Sequence, residues 1–274
     1  MTNAVTLMCP VCKDTLLLTL KTWACPQGHS YDVAKQGYVN LHVVQHKRSK
    51  NPGDTVEAVA ARRRFLSAGF YQKLQQKIVE VIQSLEPHTA IDIGCGEGYY
   101  TQAMAAVIPQ LVAVDIAKSA IQTAAKQDHQ QQVTWVVGTG AVLPVKDGMM
   151  QLCTSFFSPL PKAEMLRVLQ EQGYLLLVTP AAMHLYAMRE ALFDEVNVHT
   201  PEKFLAQLAP EFTLLAQYDV EDDLQLNQQQ LQDLIAMTPY AWKAKAERRA
   251  ALEAKTNFDV QAAFCVYVLQ KTVT

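Results

Sequence analysis

The sequence predicts an α/β fold with a mostly parallel sheet, preceded by a small metal-binding module. After Pro87, short runs of apolar, β-prone residues alternate with stretches of helical periodicity. This alternation is typical of a parallel sheet whose two faces are covered by helices. Residues 1–45 carry cysteine, histidine, glycine and proline at intervals. So short a segment needs a cross-link such as a metal ion to be stable, because it cannot bury a core of its own.

The composition of the 274 residues is balanced, with 50% hydrophobic residues, 18% charged residues and a net charge of −2. Such a composition excludes collagen-like, disordered and disulfide-rich proteins. We find neither a secretory signal nor an apolar run long enough to span a membrane. The sequence therefore predicts a cytoplasmic protein without a membrane anchor, whose six cysteines are not paired in disulfides.

The charge is unevenly distributed along the chain. Residues 1–80 contain 11 Lys and Arg against 5 Asp and Glu, whereas residues 81–274 contain 13 against 21. The first segment therefore carries a net charge of +6 and the second a net charge of −8. The near-neutral total argues against a nucleic-acid partner, but a basic first third is compatible with one.

Four residues of the N-terminal segment have the spacing of a zinc site. Cys9 and Cys12 form one pair in CPVC, and Cys25 and His29 follow in CPQGH. Three thiolates and one imidazole make a tetrahedral set that suits Zn²⁺, and four protein ligands leave no position open for water. The sequence therefore predicts a structural zinc ion. The alternative is a set of incidental thiols or a redox pair.

Residues 46–86 predict a basic segment followed by two helices. Helical periodicity runs from Val56 to Leu85, and Ala68-Gly69 is expected to separate the two helices. Six basic residues fall within eighteen positions next to the metal module, which favours a nucleic-acid-binding surface over an ordinary solvated face. The predicted nucleic-acid-binding residues are Lys47, Arg48, Lys50, Arg62, Arg63 and Arg64.

Residues 87–274 predict the α/β domain. Its strand-like runs are AIDIG, LVAVDI, VTWVV, LCTSFF and GYLLLVT. Helices are expected at about 98–107, 117–127 and 163–171. Two further strand-like runs, FTLLAQYDV and FDVQAAFCVYVLQ, follow with a helix and an aromatic-basic stretch between them.

A glycine-rich loop follows the first strand of this domain. Asp92 is followed by Gly94, Gly96 and Gly98, and Asp115 ends the next strand. Such glycines let the backbone turn tightly and approach a ligand, and an acidic residue about twenty positions on suits both hydroxyls of a ribose. The spacing differs from that of nicotinamide-binding loops, and an acidic loop suits a cationic ligand without phosphates. The alternative is a loop that serves strand–helix packing only.

Two aromatic stretches are candidates for contact with a second substrate. Phe156 and Phe157 end the fourth strand, where they either stack on a planar ring or belong to the core. The stretch MTPYAWKAKAERR (237–249) interleaves aromatic and basic residues, which suits unstacked bases. Its alternative is a solvated helix with Trp242 packed inward.

Taken together, these motifs resemble the bacterial 23S ribosomal RNA guanine-N1-methyltransferases, the RlmA-like family. The resemblance extends from the metal cluster to the last strand. Besides CPVC and CPQGH, it is carried by KQGYVNL, QHKRSKNPGD, ARRRFLSAGFY, DIGCGEGYYT, EVNVH and MTPYAW.

The resemblance implies a class I S-adenosylmethionine-dependent methyltransferase domain, Rossmann-like, with a mostly parallel sheet and an antiparallel last strand. It implies methylation of N1 of a guanine in a 23S rRNA hairpin loop, at a guanine-745-type site, with the zinc module helping to recognise the RNA. A homodimer that forms a cleft for the RNA is implied as well. The implied zinc ligands are Cys9, Cys12, Cys25 and His29, and the implied cofactor contacts are Tyr71, Asp92, Gly94, Cys95, Gly96, Tyr100, Thr101, Asp115 and His184.

Other features stay open. VVGTGAVLP lacks the acidic residue that such enzymes often carry after the third strand for the adenine amino group, so no side chain is assigned there. Glu195 and His199 are candidates for removing the proton of guanine N1, but no base is assigned. Positioning of the substrates is expected to be the main catalytic effect. The alternatives are a small-molecule methyltransferase, methylation of the neighbouring guanine as in macrolide-resistance siblings, and an RNA-binding protein with an inactive methyltransferase domain.

Overall fold

The computed structural model describes residues 6–43 and 53–272, and it confirms the predicted α/β fold with a small N-terminal module. The predicted RNA-binding residues Lys47, Arg48 and Lys50 lie outside the described residues. The module is a four-stranded sheet in which each strand runs antiparallel to the next. Its strands are β1 (Leu7–Met8), β2 (Thr15–Thr19), β3 (Thr22–Ala24) and β4 (Ser30–Asp32).

Eight strands form the second sheet. They are β5 (Tyr38–Asn40), β6 (Thr89–Ile93), β7 (Gln110–Asp115), β8 (Val133–Val137), β9 (Met150–Phe156), β10 (Leu169–Pro180), β11 (Phe212–Asn227) and β12 (Asn257–Lys271). Their spatial order is β11-β12-β10-β9-β6-β7-β8-β5. All pairs from β10 to β5 are parallel, whereas β12 runs antiparallel to both of its neighbours. The implied antiparallel last strand is therefore confirmed.

Helices cover both faces of this sheet. In the described part of the chain they are α1 (Val56–Ser67), α2 (Gln72–Leu85), α3 (Tyr99–Ala105), α4 (Lys118–Gln127), α5 (Lys162–Val168), α6 (Tyr186–Leu192), α7 (Glu202–Leu208), α8 (Gln228–Ala236), α9 (Tyr240–Lys243) and α10 (Ala246–Glu253). The two helices predicted before the sheet are α1 and α2, and they are separated at Ala68-Gly69 as expected. None of the helices within the described ranges is both long enough and apolar enough to cross a membrane.

One predicted helix is too long at its C-terminal end. The sequence predicts a helix over 163–171, but α5 ends at Val168 and Leu169 already belongs to β10. Leu169 is fully buried and pairs with Met150 of β9. Burial of a leucine in the core is worth about 1.5–3 kcal/mol, which outweighs the small gain from one more helical residue.

The N-terminal module and the sheet share a hydrophobic core. Leu7, Leu16 and Trp23 of the module lie in the same buried cluster as Val136 and Leu177 of the large sheet. The Met8 amide also donates a hydrogen bond of 2.8 Å to the carbonyl of Pro144. In addition, β5 extends the large sheet beside β8. The module therefore packs against one face of the sheet and contributes to its edge.

Candidate active site and metal centre

The four predicted zinc ligands converge in the N-terminal module. The ligand atoms of Cys9, Cys12, Cys25 and His29 all lie within 4.8 Å of one another. The Sγ atoms of Cys12 and Cys25 are 3.5 Å apart, and the Sγ of Cys25 is 3.3 Å from Nδ1 of His29. Two tight turns bring the four ligands together. In the first, the Lys13 amide donates a hydrogen bond to the carbonyl of Cys9, and in the second, the Gly28 amide donates one to the carbonyl of Cys25.

The chemistry of this donor set fits Zn²⁺. Burial raises the pKa of the Cys9 thiol, but hydrogen bonds from the backbone amides of Cys12 and Val11 and from Tyr31 outweigh it and lower the pKa to about 6. Burial and the neighbouring thiols Cys9 and Cys25 raise the pKa of Cys12 to about 11, so a metal ion would have to favour its thiolate, which is the form that binds. Because four protein ligands complete a tetrahedral set, the role of the metal is structural.

A cavity of about 600 Å³ opens at the carboxyl ends of β6, β7, β8 and β9. This is where ligands bind in open α/β sheets. The predicted cofactor contacts that line it are Asp92, Gly94, Cys95, Gly96, Tyr100 and Asp115. Tyr71, Thr101 and His184 do not line it.

The glycine loop has the close approaches that its composition predicts. Gly94 has a φ of 77°, and a Cβ there would lie 2.5 Å from the Cβ of Ser158. Gly98 has a φ of 87°, and a Cβ there would lie 2.7 Å from the ring of Trp135. Both positions therefore exclude larger residues, and the loop stays pressed against β9 and β8.

Asp115 is held at the wall of the cavity by backbone donors. Its Oδ2 accepts a hydrogen bond of 2.9 Å from the Gly96 amide, and its Oδ1 accepts one of 2.7 Å from the Ala117 amide. Burial raises the pKa of this carboxyl although both amides favour the ionised form. Each oxygen retains acceptor capacity, which suits the two hydroxyls of a ribose.

Asp92 lies at the cavity lining, and both of its oxygens bond to neighbouring elements of the fold. Its side chain is buried, and its two oxygens accept hydrogen bonds of 2.6 Å from Thr101 Oγ1 and 2.7 Å from Thr154 Oγ1. Burial raises the pKa of Asp92 from an ordinary 3.8 to about 6, against the opposing effect of the two hydroxyls. Thr101 therefore acts through Asp92. The two hydrogen bonds of Asp92 join β6 to α3 and to β9, and they hold the glycine loop in place.

Two further features of the cavity fit the cation S-adenosylmethionine. Glu97 is only 4% exposed at the cavity wall, and burial raises the pKa of its carboxyl. The hydroxyl of Tyr100 is buried and has no hydrogen-bond partner among the described residues. A ligand that carries positive charge and polar groups would compensate both. Asp115, Glu97 and the loop amides would hold this cofactor.

Tyr71 and His184 do not line the cavity, and both pack against Phe264, whose ring lies next to that of the cavity residue Phe157. Tyr71 packs against His184 and Phe264, with ring centroids 6.3 and 4.8 Å apart. Burial, followed by the neighbouring His199, lowers the pKa of His184 to about 3, and its Nδ1 accepts a hydrogen bond from the Ala263 amide. His184 is therefore neutral at physiological pH and packs as an aromatic ring.

Phe157 connects these rings to the cavity. It has a φ of 57°, is 44% exposed and lines the cavity, whereas its neighbour Phe156 is buried. Its ring lies 5.6 Å from that of Phe264 and 6.4 Å from that of Tyr100. A non-glycine residue in the left-handed region is strained, and such strain concentrates at functional sites.

A second cavity of about 680 Å³ lies between the segment 193–201, α7 and α9. It is lined by Phe193, Glu195, His199, Lys203, Tyr240 and Lys243, among others. His199 Nε2 is 3.1 Å from the hydroxyl of Tyr240, and burial with a contribution from Arg189 lowers the pKa of His199 to about 4. Trp242 on α9 is 67% exposed, which contradicts the alternative in which this ring packs inward.

The three consecutive arginines of α1 have different surroundings. Arg62 lines the cofactor cavity and pairs with Asp54 at 2.6 Å. Arg64 pairs with the buried Asp233 at 2.6 Å, and Arg63 is exposed. The sequence of three arginines does not show that their surroundings differ. The difference depends on how α1 packs.

Sequence reasoning missed Arg62, Asp54 and Ser158 as cavity residues. Ser158 donates a hydrogen bond of 2.7 Å to the carbonyl of Ile93 and lies against Gly94. Its position directly after the fourth strand is a usable signal, because the carboxyl ends of parallel strands share one edge.

Comparisons with known proteins agree with this architecture. A family model described as "RlmA, N-terminal" matches residues 7–50, and one described as a methyltransferase domain matches residues 90–176. The chain is 32% identical over 246 residues to a 23S rRNA (guanine(748)-N(1))-methyltransferase of Streptomyces fradiae, covering 86% of this chain and 85% of that protein. The crystal structure of YcgJ from Bacillus subtilis is similar in fold, with a TM-score of 0.53 at 15% identity over 73% of this chain and 98% of that chain.

Replacement of Cys9 by serine tests the metal centre. We expect the wild-type chain to hold about one zinc ion, and Cys9→Ser to lose it because one of four ligands is removed. Hydrogen exchange should then accelerate in β1 to β4. Inductively coupled plasma mass spectrometry measures the metal, with Cys153→Ala as a control that removes a buried thiol from β9. An unchanged zinc content in Cys9→Ser would contradict the assignment.

Asp92→Asn tests the burial of the Asp92 carboxyl. Because its pKa is raised in the folded state, the native protein binds the proton more tightly, and this contribution to stability is lost as the pH rises through about 6. The asparagine does not titrate. The free energy of unfolding of Asp92→Asn relative to the wild type should therefore rise between about pH 4 and pH 7. Urea unfolding across this range measures it, and a constant difference would contradict burial as the cause.

Proposed function

The chain belongs to the 23S rRNA guanine-N1-methyltransferase family, and from that membership we propose that it methylates N1 of a guanine in a hairpin loop of 23S rRNA, using S-adenosylmethionine. The observation that carries the proposal is the cofactor cavity, where buried carboxyl groups face a ligand space that is bordered by an exposed aromatic ring. Such a cavity fits a cationic methyl donor on one side and a planar base on the other.

When bound, the cofactor would supply an electrophilic methyl group, which would be transferred to guanine N1 as the sulfur–carbon bond breaks, with S-adenosylhomocysteine and the proton of N1 as the other products. The contribution of the chain is to hold the two reactants in line and to exclude water. Asp115 and the amides of the glycine loop would fix the ribose and methionine ends. No histidine is among the described residues that line this cavity. Carboxyl groups do line it, so we assign no side-chain base, and the proton of N1 ends in solvent.

Phe157 is the proposed platform for the guanine. Its ring is exposed at the end of β9, beside the cavity, and its backbone is held by a hydrogen bond of 3.1 Å from its amide to the carbonyl of Val178. Stacking on a fixed aromatic ring orients an unpaired base. It stabilises binding of the base by about 1–3 kcal/mol. Phe264 packs against this ring, and His184 packs against Phe264.

The rest of the RNA loop would continue towards the second cavity. The rings of Phe157, Phe264, His184 and His199 form a continuous series from one cavity to the other. At the far end, Trp242 is exposed and Lys243 and Lys203 supply positive charge. Aromatic platforms beside cations are typical of single-stranded RNA-binding surfaces. His199 and Glu195 lie in this second cavity, which supports a role in RNA contact and not in proton removal.

Several finer points belong to the proposal. We infer a cytoplasmic enzyme that acts as a homodimer with a cleft for the RNA, and the family resemblance is what supports both. The zinc module, Arg63 and the predicted residues Lys47, Arg48 and Lys50 would contact phosphates of the RNA. The target is a guanine-745-type site; methylation of the neighbouring guanine is an outcome of the mapping experiment.

A methylation assay tests the function. We expect the purified chain to transfer label from tritiated S-adenosylmethionine to an unmodified 23S rRNA transcript that contains the hairpin loop. Primer extension maps the product, because a methyl group on N1 blocks base pairing at that guanine. Absence of label from every guanine N1, in a protein that binds the cofactor, would favour the small-molecule alternative.

Asp115→Ala is the matched control for this assay. It removes charge-assisted hydrogen bonds to the ribose, so cofactor affinity should fall by roughly 10- to 100-fold. RNA binding should be unchanged, since Asp115 faces the cofactor cavity. If Asp115→Ala retained wild-type affinity for the cofactor, the proposed position of the ribose would be wrong.

Trp242→Ala tests the RNA surface. Loss of one stacking platform should lower affinity for the RNA hairpin by about 5- to 100-fold, while cofactor affinity and the melting temperature stay constant because the ring is exposed. Leu215→Ala, which shortens another exposed apolar side chain on β11, is the control. Fluorescence anisotropy with a labelled hairpin measures the effect. Equal affinities of wild type and Trp242→Ala would remove α9 from the RNA path.

A further inference from the structure

Arg62 is the only cation among the described residues that line the cofactor cavity. It lies on the first of the two helices before the sheet, and its guanidinium comes within 3.9 Å of the position that a Cβ on Gly96 would take. Its side chain is 26% exposed, so most of it faces the protein interior and the cavity. The charge run that contains Arg62 predicts contact with RNA, but its placement points to another ligand.

The guanidinium is held in position from two sides. Its NH1 donates a hydrogen bond of 2.6 Å to Asp54, and its NH2 donates one of 3.1 Å to the carbonyl of Met237. Of the five N–H groups of an arginine, these bonds use two. The remaining donors form a planar fork whose direction is fixed, which is the arrangement that recognises a carboxylate.

The charges of the cavity indicate which group this fork would meet. Asp54, Asp92, Glu97 and Asp115 give the lining an excess of acidic groups, and this excess suits a sulfonium and an ammonium. The methionine end of the cofactor also carries a carboxylate, which such a lining would repel. A carboxylate near several others is stabilised by a cationic partner or by several hydrogen-bond donors, and a guanidinium supplies both. Arg62 is positioned to be that partner, and it also favours the ionised form of Glu97.

We propose that Arg62 binds the carboxylate of the methionine moiety of S-adenosylmethionine, and thereby selects the complete amino-acid end of the cofactor. The inference rests on the proposed use of this cofactor but not on the identity of the methyl acceptor. Asp54 and the carbonyl of Met237 act as positioning groups that aim the guanidinium. The adjacent Arg63 is exposed and remains a candidate for contact with RNA.

Isothermal titration of the full chain with two ligands tests the proposal in the absence of RNA. The ligands are S-adenosylmethionine and decarboxylated S-adenosylmethionine, which keeps the sulfonium and the ammonium and lacks only the carboxylate. We expect Arg62→Gln to weaken S-adenosylmethionine by about 10- to 100-fold and the decarboxylated ligand by less than about 3-fold. Arg63→Gln, at the neighbouring exposed arginine, should leave the preference between the two ligands unchanged.

Two further variants separate a carboxylate contact from a structural role. Arg62→Lys keeps the charge without the fork, so its preference for S-adenosylmethionine over the decarboxylated ligand should fall between those of the wild type and Arg62→Gln. Asp54→Asn removes the ion pair and should retain most of the preference. Equal losses for both ligands in Arg62→Gln, or no loss for either, would overturn the proposal. A wild-type chain that binds neither ligand would contradict the use of this cofactor, which is a different failure.

Discussion

The burial of the Asp92 carboxyl is the constraint on which the rest of the site depends. A carboxyl group cannot be removed from water at the end of β6 unless donors compensate it, and Thr101 and Thr154 are those donors. Their hydrogen bonds fix the start of α3 and the end of β9 relative to β6. The glycine loop between them is thereby held open, and Asp115 can order the loop from its other side through the Gly96 amide.

A second principle of the architecture is the continuity of aromatic rings. Phe157 reaches the cofactor cavity, and Phe264 and His184 continue the series behind it. Burial keeps both His184 and His199 uncharged at physiological pH, so the series stays apolar up to the second cavity. Phe264 and His184 are buried, so Phe157 is the strongly exposed ring of the series, on which a planar base could stack. In the proposed function the acidic pocket would hold a cation, and the exposed ring of Phe157 would orient a base.

The metal centre is connected to this site through the core. Leu7 and Trp23 of the zinc module lie in the same buried cluster as residues on the face of the large sheet. The metal staples a segment that has too little apolar surface for independent stability, and the sheet supplies the rest of that surface. The position of the described part of the module, residues 6–43, is therefore set by packing against the large sheet as well as by zinc.

Local spacing by itself determined the zinc ligands, the glycine loop and the alternation of strands and helices. Ligands such as Cys9 and Cys12 lie within one turn, and Gly94 follows its strand directly, so local backbone geometry places them. Only the tertiary structure decided that Thr101 bonds to Asp92, that α5 ends three residues early, and that Arg62 faces the cavity while Arg63 faces solvent. These outcomes depend on how distant elements pack, because a charge run or a helical period fixes a residue type and a face but not what that face meets.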